Sequence, residues 1–242
     1  MANVACVRGE DMRKFWDRRA DENALYYVDN RLDFSDPDTE QFWQEGRADL
    51  DQLLELGGVA IQPRDRVVEI GCGVGRLTRE IAARAAAVEA IDVSERMLEL
   101  AREHNPQLTN VSWLLGDGES LRPVQDAGAD LCISHVVFQH IPDPLITLDY
   151  VREMGRVLKP GGSSTFQISN QPSIHSVDGR EGLGSKLRGW LRRGPRGQDH
   201  PAWRGSAVDL DDLAAAAEEV GLTLQSVTGR GTQFCVVTLR RS

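Results

Sequence analysis

Residues Val67-Val68-Glu69-Ile70-Gly71-Cys72-Gly73-Val74-Gly75 constrain this chain more than any other stretch. A short apolar run passes into three glycines at alternate positions, and a helical pattern opens behind them. Glycine lets a backbone turn tightly and lets a ligand approach it without striking a Cβ, while the helix that follows offers unpaired N–H groups to an anion. A strand, glycine turn and helix of this kind implies a nucleotide-like cofactor, although a tight turn with no ligand has the same outline. The spacing narrows the choice. A dinucleotide fingerprint sets its third glycine three places after the second, where Arg76 stands, whereas here it comes after two. That argues against a nicotinamide or flavin enzyme.

From Arg66 onward, short apolar runs alternate with helical stretches, the signature of βαβ units and a parallel sheet. Strands are expected near Arg66 to Ile70, Val88 to Asp92, Val111 to Leu115, Asp130 to Ser134 and Ser164 to Ser169. Helices are expected near Arg76 to Ala86, Glu95 to His104 and Pro144 to Leu158. The last has clear punctuation: Asp143 can cap it, Pro144 suits its first position, and Lys159-Pro160-Gly161-Gly162 ends it. Leu145, Leu148, Val151 and Leu158 should then share its buried face. Two amphipathic helices, Glu10 to Asn23 and Pro37 to Leu56, precede the first strand. A helix near Leu210 to Val220 and strands near Leu222 to Thr228 and Gln233 to Leu239 close the chain. The last two strands are joined by a hairpin-sized connection and should pair antiparallel.

At 242 residues the chain suits one domain. Residues 1–60 form a helical cover, 61–169 a cofactor-binding core, 170–205 a lid or flexible insertion, and 206–242 a terminal helix and hairpin. No apolar run approaches the roughly 18 residues of a membrane span, and Met1 to Arg8 lacks a signal-peptide core, so a cytoplasmic protein is expected. Cys6, Cys72, Cys132 and Cys235 are scattered without metal-ligand spacing, so no metal site is expected and reduced thiols are the simpler reading. With 28 basic and 37 acidic side chains, a formal charge of -9 opposes general attraction to nucleic acid and favours a small-molecule partner.

Two further places bear on the cofactor. Asp92 ends the second strand about twenty residues past the glycine loop, where a carboxylate can accept hydrogen bonds from both ribose hydroxyls. Capping of the next helix falls more naturally to Ser94. The third strand runs into Gly116-Asp117-Gly118-Glu119, which puts a carboxylate beside the same crevice and within reach of an adenine amino group, or forms an ordinary Asp-Gly turn.

On Glu69 to Gly75, Ala90-Ile91-Asp92, Gly116 to Gly118, Asp130 to His135 and Arg156 to Gly162, the chain resembles the class I S-adenosylmethionine (SAM)-dependent methyltransferases, in particular the small-molecule branch. The resemblance covers somewhat over half of the chain. It implies a doubly wound, Rossmann-like α/β fold with a seven-stranded, mostly parallel sheet and an antiparallel last strand, here with N-terminal helices and an insertion after the fifth strand. It also implies SAM as cofactor, with Glu69, Gly71, Cys72, Gly73, Asp92, Val93, Met97, Asp117, Gly118, Glu119 and Ser134 around it. Gly71 to Gly73 would lie against the methionine portion, Asp92 on the ribose, Met97 near the adenine, Asp117 and Gly118 at its edge, and Ser134 near the amino acid moiety.

For a hydroxyl acceptor, a general base helps. His140, just beyond the fourth strand, is the first candidate and His135 the second; the alternative for His140 is a structural histidine bonded to backbone. The acceptor is expected to be a small metabolite, such as a sugar or aromatic natural product, methylated on oxygen or nitrogen. RNA or protein methylation and SAM binding without turnover are the other readings. An Asn or Asp followed by Pro-Pro and an aromatic, as adenine amino methylation would use, is absent: Ser134-His135-Val136-Val137 stands there. Acceptor contacts should come from the N-terminal helices and the insertion. Trp16 is expected chiefly to pack a helix, Tyr27 is open to either role, and 179–197 carries six basic side chains against one acidic.

Overall fold

The computed structural model describes residues 9–175 and 197–242. Its elements run α1 (Gly9–Val28), α2 (Thr39–Gly57), β1 (Arg66–Ile70), α3 (Thr78–Ala82), β2 (Ala87–Asp92), α4 (Glu95–His104), β3 (Val111–Leu115), β4 (Ala129–Ser134), a 3-10 turn (Phe138–His140), α5 (Pro144–Val157) and β5 (Leu158–Ile168). A second 3-10 turn (Pro172–Ile174), a short α6 (Pro201–Arg204), α7 (Leu210–Glu218), β6 (Leu222–Thr228) and β7 (Cys235–Arg241) complete the chain.

The seven strands form one sheet in the order β3-β2-β1-β4-β5-β7-β6. β1 lies between β2 and β4 in parallel register, and β7 inserts antiparallel between β5 and β6. The doubly wound sheet with its antiparallel last strand is thus the expected one. Side chains alternate across β1: Val68 and Ile70 join the α5 and α7 side of the core, while Val67 joins Leu50, Leu53, Ile81 and Leu98 on the other. With both faces covered, the open crevice lies at the carboxyl ends of the strands, beside the order reversal between β1 and β4.

Local chemistry sets the boundaries. Asp38 caps α2 by accepting from Gln41 N–H, and Gly58, at φ 64°, ends it in the left-handed conformation. Ser94 caps α4 through Met97 N–H, as its position suggests, and Asp143 caps α5 through Leu145 N–H with Pro144 at the first turn.

Several expected boundaries move. α1 continues past Asn23 because that residue kinks out of helical geometry and its Oδ1 accepts from Tyr26 N–H, starting a second helical stretch. α3 is shorter than expected, since Ala86 and Ala87 both donate to Asp65 O, which draws the chain into β2. β5 begins at Leu158, so Lys159 to Gly162 belong to a strand with a register shift opposite β4. Leu145 faces solvent, 63% exposed; the buried stripe of α5 runs through Ile146, Tyr150, Val151 and Met154. β7 starts at Cys235, so the hairpin connection is longer than read from sequence. Most of the 170–205 insertion, with the basic side chains of 179–197, lies outside the described residues. Among the described residues no helix is long and apolar enough to cross a membrane.

Candidate active site

The glycine loop turns at the end of β1 with Gly71, Gly73 and Gly75 at φ of 75°, 53° and 87°, conformations that a side chain resists. A Cβ on Gly71 would also collide with Val137. The loop is tied to β2: Gly71 and Cys72 donate to Ile91 O, and Gly73 N–H donates to Asp92 Oδ2 at 2.8 Å. Asp92 Oδ1 accepts from Ser94 N–H at 2.9 Å. One oxygen of this carboxylate therefore uses an acceptor direction on the glycine loop and the other on the turn into α4, and each keeps another. Burial raises the Asp92 pKa to about 6, against backbone hydrogen bonds that favour the anion. Behind the loop, buried Glu69 accepts from Thr78 Oγ1 at 2.5 Å; burial raises its pKa to about 8, so it holds a proton at neutral pH.

A cavity opens at these strand ends. Its floor carries Glu69, Gly71, Cys72, Gly73, Asp92, Val93, Met97 and Gly118, eight of the expected cofactor residues, and its inner wall carries His135 and His140. The remaining three stand elsewhere. Asp117 folds into its own turn, accepting from Glu119 N–H, Ser120 N–H and Ser120 Oγ. Glu119 accepts from Gly9 N–H at 3.2 Å, and Ser134 Oγ donates to Ile70 O at 2.9 Å.

The cavity is roofed by α1. Arg13 donates to Val93 O and Gly116 O, and Asp17 accepts from Ser94 Oγ at 2.6 Å, so the helix is fastened across the ends of β2 and β3. Met12, Trp16, Tyr27 and Val28 then face inward. Trp16 both packs against the core and lines the cavity, a larger role than its sequence context indicates.

This lining suits SAM. Ile91, Val93 and Met97 bracket an apolar slot for a flat base, Asp92 keeps acceptor capacity for a ribose diol, and the exposed loop backbone meets no Cβ.

A second cavity adjoins the first through Tyr27, Val28, Arg76, His135, Val136 and His140. Its outer parts are amide and aromatic: Gln52, Gln139, Gln167, Gln233, Trp203 and Phe234. At one side, buried Arg76 pairs with Asp49 at 2.7 Å, and Arg31 pairs with Asp29 at 2.6 Å and Asp49 at 2.7 Å. Burial opposes ionisation of the two aspartates, but the arginines outweigh it and hold both carboxyls below their usual range. Glu45 adds an outer carboxylate 3.5 Å from Arg31, so the two guanidinium groups are fully matched by acidic side chains.

The two histidines differ. His135 Nδ1 has no hydrogen-bond partner among the described residues, and burial lowers its pKa to about 4. His140 is held: Nδ1 lies 2.6 Å from Trp203 O, Nε2 lies 3.3 Å from Gln139 Nε2, and the ring meets Trp16 and Trp203. Burial also lowers its pKa to about 4, partly offset by the Trp203 carbonyl. Both rings are neutral at physiological pH. Sequence reasoning missed Gln139, Gln167 and Trp203 as parts of the site. Arg76 carried one signal, a charge immediately behind the third glycine.

Residues 68–166 match the family described as a methyltransferase domain. Over 102 residues the chain is 37% identical to the biotin biosynthesis bifunctional protein BioHC of Cellvibrio japonicus, a match covering 41% of this chain and 18% of that longer protein. Over 190 residues it is 30% identical to the ubiquinone biosynthesis O-methyltransferase of Bordetella avium, covering 78% of this chain and 73% of the relative. An S-adenosylmethionine dependent methyltransferase from Mesorhizobium loti shares the fold, with a TM-score of 0.60 and 21% identity over 80% of this chain and 98% of that one.

Proposed function

This chain belongs to the class I SAM-dependent methyltransferases, and we propose that within them it methylates a hydroxyl oxygen of a small molecule, with His140 as general base. The observation that carries this reading is the place of His140. It lines both cavities, its Nδ1 occupied by the Trp203 carbonyl and its Nε2 facing the Gln139 amide of the second. The relative from Bordetella avium, named as an O-methyltransferase, supports oxygen as the accepting atom.

SAM, when bound, supplies a methyl group already made electrophilic by the sulfonium. Glu69, the Gly71 to Gly73 backbone, Asp92, Val93, Met97 and Gly118 would hold it in the first cavity, leaving the second to the acceptor. Alignment and exclusion of water by α1, Trp16 and Tyr27 are then the chain's main contributions. As the acceptor oxygen takes that methyl group from the sulfonium it would lose its proton, which His140 Nε2 would accept. With the ring's pKa lowered to about 4, the base is unprotonated throughout the neutral range.

Labelled SAM incubated with fractionated metabolite extract should yield a labelled, low-molecular-mass ether. His140→Ala should then lower turnover on that acceptor by about a hundredfold or more, with affinity for S-adenosylhomocysteine unchanged. Unaltered turnover would remove His140 from the chemistry, and a label found only on amines would remove oxygen as the accepting atom.

A further inference from the structure

The first cavity and His140 do not account for the row of amides beside them. Gln167, 2% exposed on β5, donates from Nε2 to Gln139 Oε1 at 2.8 Å and to Gln233 O at 3.0 Å. Gln139 Nε2 faces His140 Nε2 at 3.3 Å, and His140 Nδ1 faces Trp203 O at 2.6 Å. The row thus runs between two backbone carbonyls, one from the β6–β7 connection and one from α6.

A backbone carbonyl can only accept, so the proton at each joint is determined. Trp203 O requires Nδ1–H on His140, and a neutral ring then has its lone pair on Nε2. A lone pair requires the NH2 end of Gln139, which leaves Gln139 Oε1 pointing at Gln167. That oxygen requires the NH2 end of Gln167, whose second proton meets Gln233 O. The two ends impose the same sense on every bond between them, and no joint sets two donors or two acceptors face to face.

We propose that Gln139 and Gln167 are positioning residues that keep His140 in the neutral Nδ1–H form with its Nε2 lone pair presented to the acceptor, and that an incoming hydroxyl takes the place of the Gln139 amide on that nitrogen. The proposal rests on the reading of His140 as the base. It adds a requirement on the acceptor: the group that replaces the amide must itself donate a hydrogen bond, so a hydroxyl fits and an already methylated oxygen does not. Product is thereby disfavoured at the base.

Few charges face this ring. α1 presents Trp16 and α6 presents Trp203. His175, bonded to Arg204 O and Ser169 Oγ, is the titratable neighbour that bears on it, while His135 and the Arg76–Asp49 pair share the cavity wall.

The test reads the ring directly and needs no acceptor. In 15N-histidine-labelled protein saturated with S-adenosylhomocysteine, the His140 signals, identified by their loss in His140→Ala, should report a protonated Nδ1 and a bare, hydrogen-bonded Nε2 from pH 6 to 8. An Nε2–H tautomer or an imidazolium at pH 7 overturns the relay. Gln167→Glu replaces a donor by a group that only accepts. Gln139 should turn its NH2 end to the carboxylate and its oxygen to Nε2, raising the His140 titration midpoint by about two units. In the double variant Gln139→Ala with Gln167→Glu, most of that rise should disappear. A rise of equal size in the double variant would mean that the carboxylate acts through space, and the relay would fail; the measurement on the parent stands should Gln167→Glu not fold. Turnover of His140→Ala tests the base itself, so the two ideas can fail separately.

Discussion

The two cavities meet at His135 and His140 but are assembled in opposite ways. The floor of the first comes almost wholly from consecutive strand ends and turns, Glu69 to Gly73, Ile91 to Val93, Met97, Gly116 and Gly118. The second draws on α1, α2, the turn after β4, β5, α6 and the β6–β7 connection. On the proposed reading, a cofactor common to many enzymes would be gripped by local, hydrogen-bonded backbone that the sheet fixes in place. The second cavity, the proposed acceptor space, is enclosed by elements whose mutual packing can vary without disturbing the sheet.

If that division holds, changes on the floor should move cofactor affinity and leave the outer cavity alone. The largest effect is expected from Asp92→Ala. The carboxylate anchors Gly73 and Ser94 and keeps acceptor capacity for a diol, so two charge-assisted bonds to ligand are at stake along with the shape of the loop. Calorimetric affinity for S-adenosylhomocysteine should fall by on the order of a thousandfold. Asp92→Asn, which preserves one acceptor, should fall between. Affinity within threefold of the parent in Asp92→Ala would confine Asp92 to the loop and break the comparison at its strongest point.

Glu69 sharpens the same comparison through stability. Its pKa is raised to about 8 by burial, so the folded chain keeps a proton that the unfolded chain releases near 4.5. Its contribution is therefore fully present below pH 4.5 and is lost as pH rises through about 8. Glu69→Gln is neutral at every pH and can still accept from Thr78, so its stability relative to the parent should grow by about 3.5 kcal/mol between pH 5 and pH 8 in denaturant titrations. Parallel pH curves for the two proteins would mean that Glu69 is ionised within the floor.

The asymmetry also explains what could be read in the amino-acid sequence. Gly71, Gly73 and Gly75 announce left-handed turns, Asp92 marks the end of an apolar run, and Asp143-Pro144 marks a helix start, because each depends on neighbours a few residues away. Gln139, Gln167 and Trp203 carry no such mark: a glutamine within a strand becomes part of a relay only when an element more than sixty positions away supplies a carbonyl. Leu145 failed for a related reason, since helical periodicity locates an apolar stripe only to within a residue, and Ile146 took the buried place. The 3-10 turn that carries His140 is likewise set by tertiary contacts, with Phe138 buried and Ser206 Oγ donating to Ile141 O.

The smallest effect is expected where sequence and geometry part beside the floor. Asp117 has a strand-end position suited to an adenine amino group, yet its Oδ1 accepts from Glu119 N–H at 2.9 Å and Ser120 N–H at 2.7 Å, and its Oδ2 from Ser120 Oγ at 2.7 Å. These bonds, against a burial penalty that would raise its pKa, hold the carboxyl below the usual range. Asn retains the Oδ1 acceptor on which both backbone bonds depend, and its amide can replace the weaker partnership with the serine hydroxyl. The turn should survive, Gly118 should still present its backbone beneath Met12, and only the distant attraction of Arg122, 3.9 Å away at the surface, is lost. Asp117→Asn should therefore change S-adenosylhomocysteine affinity by less than about threefold. A tenfold loss would mean that this carboxylate leaves its turn when ligand enters, and that the floor is completed only on binding.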